Sequence, residues 1–226
     1  MIIIKYINLI LIIVNNNFDI ISWFFERLFR YRNRCNILVF NYLIHFFCYI
    51  KGVKIGKKVV FNGFPVIRRY ENSDISIGDC CRFNSAKNSV PIGLQRRCTI
   101  VTLRKKSEII IGDNFGGSGI TLLAAIKIKI GNNVMIGAHS MIFDTDFHHS
   151  DPNKRQDRTD IPARPVVIED NVFIGANCTI LKGITIGENS VIGANSVVIN
   201  SMPKNSIAIG NPCKIVIIKN WNLPAT

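Results

Sequence analysis

The chain has 226 residues and a mass of 25.4 kDa, and 48% of its residues are hydrophobic. This is enough apolar material for one large folded domain, and it excludes an intrinsically disordered protein. The 28 Lys and Arg residues exceed the 15 Asp and Glu residues, and the net charge of +13 favours ligands or surfaces that carry phosphate.

Isoleucine and asparagine are unusually frequent, with 40 and 24 copies. Isoleucine prefers the pleated surface of a β-sheet, and asparagine is favoured in turns. The composition therefore argues against a mainly helical protein.

Residues 1–50 differ in composition from the rest of the chain. Two apolar stretches without glycine, 2–14 and 37–50, are predicted to be helices. Each is shorter than the roughly 20 residues that a membrane-spanning helix needs. Lysines and arginines follow both stretches, so contact with a membrane surface and packing on the main domain or on a neighbouring subunit are all open. We expect a helical segment over 1–50, a main domain over 51–217 and a tail over 218–226.

From about residue 53 the sequence repeats with a period of six residues. The aliphatic residues that mark this period occupy every sixth position from Ile168 to Val198, and the same period appears upstream from Ile130 to Ile142. Period six is neither the period of a helix nor the alternation of a simple strand. One short strand and one tight turn per hexad, with three hexads per triangular coil, place every sixth side chain in one interior column. The sequence predicts a coil of this kind, with glycine and asparagine at its corners.

The repeat loses its phase between Ile142 and Ile168. These residues are 26 positions apart, which is two more than a whole number of hexads, so a loop over about 143–165 must leave the coil. The loop contains the adjacent histidines His148 and His149, followed by a polar and basic stretch. An imidazole normally titrates near neutral pH and suits general-base catalysis, so this loop is the predicted catalytic segment.

The hexads on both sides of this loop, with Asp-Thr-Asp-Phe-His at 144–148 and Gly-Asn-Pro-Cys-Lys at 210–214, resemble the hexapeptide-repeat acyltransferases. The similarity covers about residues 53–217. It is greatest to sugar O-acetyltransferases such as the galactoside, maltose and polysaccharide-modifying enzymes. The resemblance implies an all-β fold, a left-handed parallel β-helix that assembles as a homotrimer. It also implies acetyl-CoA as the acyl donor, bound between neighbouring subunits, and a sugar or saccharide acceptor.

By this resemblance, His148 is the general base that deprotonates the acceptor hydroxyl for direct attack on the thioester. Asp144 or Asp146 would orient its imidazole and stabilise the imidazolium. The backbone N–H of Ala176 is the candidate donor to the thioester oxygen.

The resemblance also implies the remaining site residues. Ala194 and Ser196 match the stretch that lines the pantetheine arm and the adenine end of the cofactor, and Lys214 would meet a cofactor phosphate. For the acceptor, Ser118 is a candidate, although Gly-Ser-Gly is equally a tight turn. Phe173 lies where related enzymes often have tryptophan, so it would pack on the acceptor or cofactor. We do not expect galactoside or maltose specificity to transfer, because alanines stand near the aspartate of those relatives.

Other function classes remain open. A non-catalytic structural or binding β-helix is one, but basic and aromatic residues are not interleaved as in a stacking platform, so we expect no nucleic acid partner. A zinc hydratase would need three converging histidines, and His139, His148 and His149 do not suggest such a site, so no metal is expected. Serine acetyltransferase is disfavoured, because its large helical domain would not fit into 50 residues. We expect a cytoplasmic enzyme, which is peripheral at the inner face of the membrane if residues 1–50 contact lipid.

Overall fold

The computed structural model describes residue 27 and residues 40–218. Contacts divide the chain into Met1–Phe40 and Asn41–Thr226, and the described strands belong to the second unit. The predicted helix over 2–14 lies outside the described residues, whereas residues 40–50 form helix α1. Within residues 40–218, no helix has both the length and the apolar character needed to cross a bilayer.

Short strands, numbered β1 to β20 in chain order, form three sheets in the described residues. Sheet A contains β1 (Lys54–Ile55), β4 (Asp74–Ile77), β7 (Glu108–Ile111), β10 (Lys127–Ile130), β13 (Val166–Ile168) and β16 (Thr185–Ile186). Sheet B contains β2 (Val60–Asn62), β5 (Arg82–Asn84), β8 (Gly116–Ser118), β11 (Met135–Ile136), β14 (Phe173–Ile174), β17 (Val191–Ile192), β19 (Ser206–Ile209) and β20 (Lys214–Ile218). Sheet C contains β3 (Val66–Arg68), β6 (Thr99–Thr102), β9 (Thr121–Ala124), β12 (Met141–Phe143), β15 (Thr179–Ile180) and β18 (Val197–Val198).

The predicted left-handed parallel β-helix is confirmed. Up to β18 the strands pass in turn through sheets A, B and C, and each strand from β1 to β15 pairs in parallel with the strand of the next coil. The consecutive hexad positions Ile168, Ile174 and Ile180 supply one interior side chain to each sheet and are at most 1% exposed. Full burial of such a side chain contributes about 1.5–3 kcal/mol, so the interior columns are a major source of stability.

Asparagines stabilise the corner between sheets A and B. Five of them have φ between 56° and 61°, and each side-chain amide donates to the side-chain oxygen of the next at 3.0 or 3.1 Å. Asparagine tolerates this left-handed conformation better than most residues. The prediction that asparagine marks corners is confirmed at this edge, and we call these residues the Asn ladder: Asn114, Asn133, Asn171, Asn189 and Asn205.

Helix α1 closes the open end of the first coil. Strands β1, β2 and β3 each pair on one side, which leaves backbone groups without strand partners. The Asn41 side chain donates to Phe61 O at 2.8 Å and accepts from Phe61 N–H at 2.7 Å, and Lys51 Nζ donates to Ile67 O at 2.8 Å. Residues 41–50 therefore pack on the main domain and protect its first strands.

Replacing Asn171 tests the Asn ladder. We expect Asn171→Ala to lower the free energy of unfolding by about 2–3 kcal/mol, because it removes two side-chain hydrogen bonds and disfavours the left-handed conformation. Asn171→Gly removes the same bonds but tolerates the conformation, so about half of that loss is expected. Urea unfolding of both variants measures the difference, and equal losses would contradict the conformational part of this explanation.

Candidate functional site

The loop that carries the histidine pair leaves the coil between β12 and β13, at the corner between sheets C and A. Its base is an antiparallel neck in which residues 144–146 run beside residues 162–164. Within the neck, Asp146 N–H donates to Pro162 O at 3.1 Å. Because the neck ends two residues before His148, this histidine stands near the base of the loop and not at its tip.

The side chain of Asp144, at the base of the neck, binds backbone groups of the preceding coil. Its carboxylate is fully buried and accepts hydrogen bonds of 2.6–2.7 Å from three consecutive backbone N–H groups, those of Ala125, Ile126 and Lys127. Such charge-assisted bonds hold both carboxylate oxygens on the coil. The prediction that Asp144 could orient His148 is therefore corrected, because this side chain has a structural role at the corner.

Asp146, the other predicted orienting residue, forms an ion pair with Lys182. Lys182 lies at the same corner in the next coil, between β15 and β16. From a preceding coil, Arg104 Nη2 donates to Ile161 O at 3.2 Å. The base of the loop is thus attached to coils on both sides of it, and these attachments limit where His148 can move.

His148 itself is exposed, and the residue before it is fixed to the coil. Phe147 adopts φ 63°, and its ring meets the ring of Phe143 edge-on at a centroid distance of 5.4 Å. Among residues 40–218, no hydrogen bond or ion pair engages the His148 imidazole. The ring is therefore available to a substrate hydroxyl.

The His149 side chain lies near Asp157, another residue of the same loop. Hydrogen bonds from the hydroxyl and the backbone N–H of Thr159 lower the pKa of the Asp157 carboxyl, and the charge of nearby His149 acts in the same direction. This half-buried position distinguishes His149 from the open His148.

The predicted cofactor residues Ala176 and Ala194 lie at a different corner, between sheets B and C. They occupy the same position in successive coils, where the preceding coil has Ala138. At the equivalent position of the A–B corner, Asn132 N–H donates to Asp170 Oδ1 at 2.8 Å. Alanine offers no such acceptor, and in the described part of the chain the N–H groups of Ala176 and Ala194 have no partner. Two neighbouring coils therefore present free N–H donors at this corner, which is the chemistry that an oxyanion or a carbonyl oxygen requires.

The two other predicted cofactor residues differ in accessibility. Ser196 is fully buried, and its hydroxyl donates to Gly193 O at 2.6 Å and accepts from Gly210 N–H at 3.0 Å. The prediction of a direct cofactor contact by Ser196 is corrected, because its hydroxyl holds two backbone segments together. Lys214 is exposed at the start of β20 and has no ion-pair partner among residues 40–218, so its ammonium group can meet an anion.

The predicted acceptor residues, Ser118 and Phe173, lie near the B–C corner that contains Ala176 and Ala194. Ser118 ends β8 there, and its hydroxyl accepts from Asn84 Nδ2 at 2.9 Å. Phe173 begins the strand that leads to Ala176, and it stands beside Met135 on the outer side of sheet B with 44% of its surface exposed. Ser118 and Phe173 can therefore contribute to one surface with the alanine corner.

Sequence reasoning missed two residues that shape these corners. In the sequence, Lys182 is the one charged residue between Asp170 and Glu188. A single charge within an otherwise uncharged stretch of the repeat is the feature that could have identified this residue. His139 accepts a hydrogen bond at Nε2 from Gln95 N–H at 3.0 Å and so fixes another loop, 85–98, to the B–C corner. The contact joins residues 44 positions apart, for which the sequence contains no signal.

Sheet C separates the two groups of candidate residues. The loop with His148 begins at the C–A edge of this sheet, and the alanine corner lies at its B–C edge. The structure therefore does not bring His148, Ala176 and Ala194 together at one corner of a single chain. Among residues 40–218, no group of three or more His, Cys, Asp or Glu side chains could hold a metal ion, and His139 lies at the opposite edge of sheet C from the loop of His148.

Comparison with known proteins identifies the repeat and its relatives. Residues 165–200 and 184–215 match the family described as the hexapeptide repeat of succinyl-transferase. Galactoside O-acetyltransferase of Lactococcus lactis is 39% identical over 114 residues, which cover 45% of this chain and 54% of that protein. The enzyme of the same name from Escherichia coli is 35% identical, with coverage of 49% and 54%. The chain thus matches about half the length of these relatives.

A crystal structure of an N-acyltransferase from Bacillus cereus, in complex with dTDP and 3-hydroxybutyryl-CoA, has the same fold. The TM-score is 0.59 and the identity 19%, over 78% of this chain and 88% of that one. The predicted resemblance to the hexapeptide-repeat acyltransferases is confirmed by these matches.

Replacing Asp144 tests its structural role. We expect Asp144→Asn to lower the free energy of unfolding by about 3 kcal/mol, because an amide turns donor hydrogens towards backbone N–H groups that need acceptors. The control is Asp157→Asn on the exposed part of the loop, for which no significant change in stability is expected. Urea unfolding measures both, and a stable Asp144→Asn variant would contradict the assigned role.

Proposed function

We propose that this hexapeptide-repeat protein is an O-acetyltransferase that moves the acetyl group of acetyl-CoA to a hydroxyl of a sugar or saccharide precursor. The observation that carries the proposal is the open imidazole of His148, held at the base of a loop that is attached to the coil on both sides. The galactoside O-acetyltransferase relatives support the acetyl donor and the saccharide acceptor.

In the proposed reaction, the unprotonated nitrogen of His148 accepts the proton of the acceptor hydroxyl. The hydroxyl oxygen bonds to the acetyl carbonyl carbon, the carbon–sulfur bond breaks, and the departing thiolate takes the proton from the imidazolium. The Ala176 N–H donates to the carbonyl oxygen while negative charge develops on it. Asp146 acts through the position of the loop, because Lys182 already binds its carboxylate.

We also propose that the protein works as a homotrimer in the cytoplasm, where acetyl-CoA is available. The placement of His148 and Ala176 at opposite edges of sheet C supports this assembly, because a neighbouring copy can bring its alanine corner to the histidine loop. A ring closed by such head-to-tail contacts contains one complete cleft per subunit. The cleft residues Ser118 and Phe173 would then face the acceptor.

Removing the proposed base should abolish most of the activity. We expect His148→Ala to lower kcat by about 10²- to 10⁴-fold, the usual contribution of a positioned general base. Thiol release from acetyl-CoA in the presence of mixed sugar acceptors measures the turnover. His149→Ala is the matched control and should retain turnover close to that of the unmodified protein. Full activity in His148→Ala would overturn the assignment of the base.

Lys214 should affect binding of the donor and not the chemical step. We expect Lys214→Gln to raise KM for acetyl-CoA by about 5- to 10-fold with kcat unchanged, because a phosphate contact acts equally in the ground and transition states. Acetyl-dephospho-CoA should show a smaller difference between the two proteins if the 3′-phosphate is the partner. Lys204→Gln, another exposed lysine near the end of the coil, is the control.

A further inference from the structure

The outer side of helix α1 is apolar along its whole length. We call this side the outer face, and its residues are between 40% and 82% exposed: Tyr42, Leu43, Phe46, Tyr49 and Ile50. A helix on the surface of a domain normally turns polar residues to water, opposite the side that packs on the core. A continuous apolar surface of this kind marks a binding site for a partner or a membrane.

The coil beneath this helix is strongly cationic. Residues 51–70 form the first coil and contain six basic residues but neither aspartate nor glutamate. Among residues 40–218, Lys54 is the one of these whose side-chain ammonium pairs with a carboxylate, that of Asp74 at 3.9 Å, whereas Lys57 meets the Asp79 carboxylate through its backbone N–H at 2.7 Å. Arg69 Nε is buried without any acceptor. We call this set the basic collar: Lys51, Lys54, Lys57, Lys58, Arg68 and Arg69.

One member of the basic collar stands at a position where the coil itself favours another residue. Lys58 has φ 57° at the A–B corner, in line with the positions that later coils give to the Asn ladder. Cys80 holds this position in the next coil and the Asn ladder begins only at Asn114, so Lys58 takes no part in it. Lysine also tolerates the left-handed conformation less well than asparagine. The coil therefore does not require the positive charge at this position.

The distribution of charge around the outer face indicates which partner binds it. Two copies of this chain that met through the outer face would bring two basic collars together. Residues 1–39 contain five basic residues and two acidic ones, so they cannot neutralise the collar either. A bilayer with anionic lipids provides an apolar interior for the outer face and phosphate groups for the lysines.

We propose that the outer face of α1 and the basic collar bind the surface of an anionic membrane. The exposed Tyr42 and Tyr49 suit the headgroup region, where amphipathic aromatic rings are enriched. The exposed side chains of Lys57, Lys58 and Arg68 contact lipid phosphates, whereas Lys51 Nζ already binds Ile67 O. None of these residues belongs to the proposed acetyltransferase site, so membrane binding and catalysis can each fail without the other.

Co-sedimentation of the full chain with vesicles tests the proposal. Vesicles of phosphatidylcholine are compared with vesicles in which half of this lipid is replaced by phosphatidylglycerol. We expect firm binding to the anionic vesicles, weak binding to the neutral ones, and release by salt. Equal binding to both vesicle types, or no binding to the anionic vesicles, would overturn the proposal.

Three double variants locate the binding surface. We expect Lys57→Gln/Lys58→Asn to weaken binding to anionic vesicles by about 30-fold, which corresponds to about 1 kcal/mol per cation near the membrane. Lys58→Asn introduces the residue that the later coils prefer, so folding should be preserved. Tyr42→Ser/Tyr49→Ser should weaken binding by at least about 10-fold. Lys129→Gln/Lys204→Gln removes the same charge from exposed positions elsewhere and should bind like the unmodified protein.

Two further measurements separate the membrane from other partners. Light scattering reports the oligomeric state of the tyrosine variant; dissociation of the assembly with unchanged vesicle binding would make the outer face a subunit contact and overturn the proposal. Binding of single-stranded RNA is measured on the same variants. Binding as tight as that of anionic vesicles, and unaffected by Tyr42→Ser/Tyr49→Ser, would assign the collar to nucleic acid instead. Acetyl transfer to a soluble acceptor should be unchanged in all three double variants.

Discussion

An aliphatic side chain at every sixth position is the constraint on which the structure depends. Most strands are two to four residues long, too short to be stable alone, so each coil is held by the coils above and below it. Ile168, Ile174 and Ile180 show how one turn of sequence fills all three sides of the interior. Because this register cannot be shifted, residues that do not fit a whole number of hexads must leave as a loop, and that loop carries His148.

The three edges of the coil differ in chemistry because the corner residues differ. Asparagine and aspartate side chains at the A–B corner accept hydrogen bonds from backbone N–H groups of neighbouring coils, as Asp170 does from Asn132 and Asn132 from Asp113. Alanine at the B–C corner leaves N–H groups free, which makes that edge suited to a ligand. At the C–A corner, Lys182 and Arg104 hold the emerging loop. One regular backbone thereby carries three corners of different chemistry.

Residues with similar chemistry could not be assigned to these roles from the sequence. Asp144 and Asp146 are both near His148 in the chain, but the partners of Asp144 are the backbone groups of 125–127, and that of Asp146 is 36 positions away. The hydroxyl of Ser196 looked available for a ligand, although Gly193 and Gly210 occupy it. In each case the deciding contact comes from another turn or coil.

The sequence by itself determined the parallel β-helix, the use of asparagine in its corners, and the interruption between Ile142 and Ile168. Those features follow from the six-residue period, which is visible in the amino-acid sequence alone. The tertiary structure decided which carboxylate holds the coil, which N–H groups remain free, and that helix α1 turns an apolar side outwards beside a ring of basic residues. These depend on which side chains meet when one coil stacks on the next, and the inserted loop changes the sequence separation of those neighbours.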